Sequence, residues 1–230
     1  MKEKPKPNKG DVAHTIAKAG LSAIPVVGGP AVELFNAIIT PPLAKRRDEW
    51  IESIAEGLKK LEETVEGFKI ENLKDNDMFI TTVMHATQVA IRNHQKEKLD
   101  ALRTAILNST SPNAPEEDMQ LIFLNFVDIL TSSHLKMLKF LENPIELSKK
   151  YELPPNSQDE IYGIPYEALN DNFPELQDNY GVFEMIIDDL ELKQLLIEGE
   201  SNCPWPCASQ VGKEFLQFIT SPIEDEEESK

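Results

Sequence analysis

The residues able to do chemistry in this chain are four histidines, two cysteines and a few runs of carboxylates, and their spacing limits what each can do. His14, His85, His94 and His134 are scattered along the sequence. His85 and His94 fall nine apart on one expected helix, a separation that turns them half a revolution from each other, so they do not converge on a metal. No serine or cysteine motif accompanies a histidine as an activated nucleophile would require. Cys203 and Cys207 stand four apart around Pro204, Trp205 and Pro206. They have neither the two-residue spacing of a redox pair nor a second ligand pair for zinc. Two readings stay open for them: thiols packed beside Trp205 as a loop anchor, or a regulatory disulfide. Glu116-Glu117-Asp118 and Asp188-Asp189 lack the alternating oxygen ligands and the glycine of a calcium loop, and read as solvated helix-end charge. Gly28-Gly29 lacks the Lys-Ser/Thr that completes a phosphate loop. The expectation is a non-enzymatic protein with no catalytic, cofactor-binding or metal-ligating residue and no cofactor.

The elements that would carry these residues are mainly α-helical. At 230 residues and 40% hydrophobic, the chain is long enough to bury a sizeable core. Asp11 caps a short helix ending near Gly20. From Leu43 the residues Trp50, Ile51, Ile54, Leu58, Leu61 and Val65 keep one helical face apolar, while the opposite face alternates acids and bases. A third helix is expected over residues 77–107 with Asp77 as its cap. A fourth runs from the acids at 116–118 to Glu142, where Asn143-Pro144 ends it. Further helices are expected at 165–173, 180–193 and 211–219, with a short strand at 195–197 and a turn at Gly199.

Residues 21–39 form the most apolar window, with Glu33 as its only charge. Pro25, Gly28, Gly29 and Pro30 interrupt it, so two short apolar helices joined by a Gly-Gly-Pro turn fit better than a membrane span, and Pro41-Pro42 then resets the chain direction. Burial in the core is the favoured reading of this hairpin. The alternative is a membrane-perturbing effector in which Ile24, Val26, Val27 and Phe35 enter lipid while Lys45, Arg46 and Arg47 meet its charged surface.

The net charge of −17 is concentrated at one end. Residues 157–230 hold three Lys and Arg against 18 Asp and Glu, a net of −15, whereas residues 1–156 sum to −2. Nucleic-acid affinity rests on cations that displace counterions, so nucleic acid is not expected as a partner, and a protein partner is. Two cysteines exclude a secreted framework of several disulfides, and no apolar segment of signal-peptide type precedes Ala17-Lys18-Ala19, which makes the cytoplasm the expected location.

The order of elements after about Asn125 resembles a winged-helix module: Leu135-Leu138-Leu141 on a helix, a short helix, a Leu-rich helix, Gly199, and then Cys207-Ala208-Ser209-Gln210-Val211-Gly212-Lys213-Glu214-Phe215-Leu216. That closing pattern is similar to the end of bacterial helical proteins of the abortive infection alpha family. The resemblance implies a bacterial cell and a role in phage defence. The residues standing where a recognition helix would read DNA depart from it, because Glu184, Asp188, Asp189 and Glu191 replace the cations and amides that meet phosphates and bases. These four acids are instead the expected protein-binding residues. The expected organisation is a flexible arm at 1–10, a helical bundle at 11–144, an acidic winged-helix-like α(+β) module at 145–222 and a disordered acidic tail at 223–230. The function that follows is that of an accessory or regulatory protein working through protein contacts.

Overall fold

A computed structural model describes residues 30–151, 158–199 and 205–220, with side chains from Lys45 onward. The expected arm, the first half of the apolar hairpin and the acidic tail lie outside the described residues. The fold is mainly α-helical, with two small two-stranded sheets. The chain divides into two compact units, Met1–Ile51 and Glu52–Lys230.

The first unit is described over the opening part of helix α1 (Pro30–Thr64). Pro30 occupies the first helical position, where a missing N–H costs nothing. Pro41 and Pro42 lie inside the helix and do not end it, contrary to expectation. Each removes one backbone donor and strains the preceding turn, at a cost of about 3 kcal/mol. In a helix of 35 residues the remaining turns carry the backbone past them.

The second unit begins within α1, where Ile54 and Leu58 are buried while Val65, expected on the same face, is exposed. A 3₁₀ turn (Ile70–Asp75) leads into α2 (Asp77–Arg92), which is capped by Asn76 and not by Asp77: the Asn76 side chain accepts from the Phe79 N–H at 2.9 Å. The single helix expected over 77–107 is broken. Asn93 takes an extended conformation and its amide donates to the Val89 carbonyl at 2.9 Å, closing α2; α3 (Lys96–Asn108) starts anew. The buried face of α2 is Thr82, Ala86, Val89 and Ala90, and Ile80, expected inward, is exposed. Helix α3 lies at the centre, with Leu102, Ala105 and Ile106 fully buried. Gly57 of α1 sits so close that an added Cβ would lie 2.7 Å from Leu107 Cδ1, and the Arg103 guanidinium donates to the Ser53 carbonyl at 2.9 Å.

The helix expected to run to Glu142 is also two: α4 (Glu117–Ile129) and α5 (Ser132–Phe140), bent by 117°. Thr131 turns the chain by capping α5. Its hydroxyl accepts from the His134 N–H, and His134 Nδ1 faces the Thr131 N–H in return, a reciprocal cap. No single helix among the described residues is long and apolar enough to cross a membrane. Phe123, Leu124, Val127, Met137 and Leu138 of the bent pair are buried in the core, whereas Ile122, expected inward, and Ile129 are exposed.

After α6 (Ile145–Lys150), the structure shows a hairpin that the sequence pattern did not reveal: β1 (Glu160–Ile161) pairs antiparallel with β2 (Ile164–Pro165). Tyr162 (φ 50°) and Gly163 (φ 77°) make the turn, and left-handed backbone at both positions suits the twist of a two-residue hairpin. Then come α7 (Tyr166–Asn172), α8 (Tyr180–Leu192), β3 (Leu196–Ile197), β4 (Cys207–Ala208) and α9 (Gln210–Ile219). These last helices and the strand lie close to where the hydrophobic periodicity puts them.

Helices from both sides of residue 144 share one core. Helix α9 packs on α3 and α8 packs on α5, so no division falls at the expected boundary between bundle and C-terminal module. Phe123 and Phe126 of α4 meet Phe215 of α9 at 5.4 and 5.7 Å between ring centres. A second aromatic cluster joins Phe140 to Phe173 and Trp205. Trp205 is 2% exposed and buried in this cluster. Cys203 lies outside the described residues, and Cys207 is half-buried in β4.

Candidate functional site

Helix α8 positions the acidic candidates, and its own packing decides which way each points. Phe183, Ile186, Ile187 and Leu190 are buried, a spacing that puts one face of the helix on α5 and the hairpin. The opposite face then carries Glu184, Met185, Asp188 and Leu192. Helix α8 ends in a Schellman motif: the Leu195 N–H reaches the Leu190 carbonyl at 2.9 Å and the Gln194 N–H reaches Glu191 at 2.8 Å. Gln194 takes the left-handed conformation, φ 58°, usually given to glycine. This turn sends β3 back beside the helix and brings Glu198 into the field of Glu191.

The four expected partner-binding acids therefore separate. Glu184 and Asp188 are exposed and outward. Glu191 sits at the edge of the face, where burial and then the charges of Asp188 and Glu198 push its carboxyl above the ordinary range. Asp189 faces the other way: its Oδ2 lies 3.3 Å from Lys193 Nζ and 3.5 Å from His134 Nε2 of α5, so it belongs to the helix–helix junction. Among the described residues, no cation pairs with Glu184, Asp188, Glu191 or Glu198.

Two features of this face were not legible in the sequence. Tyr162, from the unforeseen hairpin, donates its hydroxyl to Asp188. That bond, helped by partial burial and the nearby acids, raises the phenol to about 12, so it stays protonated. The second feature is apolar exposure between the acids: Met185 is 56% exposed, Leu192 81% and Ile197 48%. Met185 and Leu192 are seven apart, hence on one stripe and about 10 Å from each other along the helix. The seven-residue spacing stands in the sequence, but spacing alone does not say whether that stripe faces the core or water.

The remaining candidates do not assemble. Lys45 pairs with Glu49 at 3.5 Å and Arg47 with Asp48 at 3.1 Å, and Arg46 is exposed beside them. Ile24, Val26 and Val27, like the side chain of Phe35, lie outside the described residues. No group of three His, Cys, Asp or Glu among the described residues could hold a metal ion. A groove of about 780 Å³ runs beside α9, and its charged lining is balanced, Lys139 and Lys213 against Glu142 and Glu214, with Lys139 and Glu142 paired at 2.9 Å. It favours neither sign of charge. No family model, no curated protein and no solved structure matches the chain.

Proposed function

We propose that this is a non-enzymatic accessory or regulatory protein of a bacterial cell, acting in the cytoplasm through protein contacts made by the outward face of α8. The observation that carries the reading is the combination on that face: acids without a cationic partner among the described residues, interleaved with Met185 and Leu192 left open to water. Interfaces that bind proteins pair a desolvated apolar centre with a polar rim of complementary charge. On the same reading, residues 145–222 are winged-helix-like in their order of elements but share the core of the preceding helices, and the acids of α8, which repel phosphate, direct its contacts to protein and not to nucleic acid. The likeness of residues 207–216 to abortive infection alpha proteins extends the proposal to phage defence.

Removing residues 157–230 is not a usable test, because α8 and α9 are part of the common core. The test is the double substitution Glu184→Lys/Asp188→Lys in the full chain, followed by co-purification from the native cell. Loss of partners that wild type retains, with the unfolding midpoint unchanged, supports the face. Equal recovery of the same proteins by both forms excludes it.

A further inference from the structure

We infer that the partner presents a basic amphipathic helix to α8, laying an apolar ridge along Met185 and Leu192 and delivering a lysine or arginine to the carboxylates beside them; the inference rests on the protein-contact reading above. The apolar stripe provides the first argument. Single exposed apolar residues are ordinary on a protein surface. Met185 and Leu192, at 56% and 81% exposure, repeat after two helical turns on the side opposite the core. A second helix laid along α8 covers both at once with side chains of its own that repeat at three, four and seven residues.

Charge then selects which helix. Glu191 is held above the ordinary carboxylate range by burial first and then by the charges of Asp188 and Glu198, and none of the three acids is paired with a cation among the described residues. A cation placed among them relieves that repulsion and is itself desolvated by Leu192 and Ile197, where a charge pair is stronger than in open water. An acidic or neutral helix would meet the same apolar stripe and add to the repulsion. Tyr162 completes the edge of the surface: its ring is 44% exposed and its hydroxyl is held by Asp188. A phenol so placed offers area at little entropic cost and a face on which a guanidinium can stack.

The test uses the full chain and a labelled synthetic peptide of leucine and lysine, patterned as an amphipathic helix, with fluorescence anisotropy at physiological salt. Leu192→Ser changes no charge and is expected to weaken binding about tenfold, the scale of one large apolar contact at an interface centre. Asp188→Asn should weaken it severalfold, whereas Glu66→Gln, which removes the same charge from an exposed site on another segment, should leave it within twofold. Equal affinity for all forms would mean diffuse attraction to an acidic protein and would overturn the inference, as would no binding. Self-association of the chain that Leu192→Ser abolishes would put a second copy in place of the basic helix and overturn it too. If native partners still depend on Glu184 and Asp188 while the peptide fails these criteria, the contact face stands and only the class of partner is wrong.

Discussion

His134 Nε2 lies 3.5 Å from Asp189 Oδ2 across the junction of α5 and α8, while its Nδ1 is 2.7 Å from the Thr131 hydroxyl. The first distance is longer than a good hydrogen bond, and Nε2 is a buried side-chain nitrogen without a hydrogen-bond partner among the described residues. Burial lowers the histidine's affinity for a proton; Asp189 opposes this and Lys193 adds to it. A folded pKa below the unfolded value of about 6.5 means the unfolded chain binds the proton first. The contribution is therefore present above about pH 6.5 and is lost as pH falls through the folded pKa. Urea unfolding at pH 7.5 and pH 5 should show wild type losing more stability on acidification than His134→Gln. Parallel losses would dismiss the histidine as the source.

Glu191 predicts the opposite sign. Its carboxyl is raised by burial and by the charges of Asp188 and Glu198, so ionisation costs more in the folded protein than in the unfolded chain. Stability is favoured below the unfolded value of about 4.3 and decreases as pH rises through the folded pKa. Glu191→Gln is expected to raise the unfolding midpoint at pH 7, the gain shrinking as pH drops toward 4. An unchanged midpoint at pH 7 would show that the three acids are fully screened.

Two glycines on helices should respond to alanine with opposite signs. A Cβ on Gly212 would lie 2.1 Å from the Leu195 carbonyl oxygen, which is backbone and cannot swing aside. Gly212→Ala should cost about 3 kcal/mol or more by forcing α9 away from the end of α8. Nothing lies within 4 Å of a Cβ on Gly181, so Gly181→Ala should gain roughly 0.5–1 kcal/mol from reduced chain entropy. Denaturant midpoints at constant slope measure both.

Gln194 ends α8 in left-handed backbone at φ 58°, where an L side chain strains its own carbonyl by about 1–2 kcal/mol. Gln194→Gly should stabilise the protein by a few tenths to about 1 kcal/mol, the relief of strain being partly offset by greater freedom of the unfolded chain. Loss of stability would mean that the glutamine side chain holds the turn.

Local chemistry in the sequence determined much of this fold. Apolar residues at helical spacing placed Ile54 and Leu58 inward on α1, and Phe215, Phe218 and Ile219 inward on α9, because one helix buries one face whatever it meets. The charge of residues 157–230 was likewise written in composition. The breaks at Asn93 and Thr131 were not legible, since neither position offers glycine or proline and a continuous helix keeps the same local hydrogen bonds. Packing on α3 and between α5 and α8 selects the broken forms, with Asn93 and Thr131 supplying caps once the chain has turned. The same holds for the candidate site. The sequence listed four acids on one helix, but the contacts of α5 and the Tyr162 hairpin turned Asp189 toward His134 and left Glu184 and Asp188 facing water with Leu192. Periodicity fixes the angles between residues along a helix; only the neighbouring elements fix which of those angles points outward.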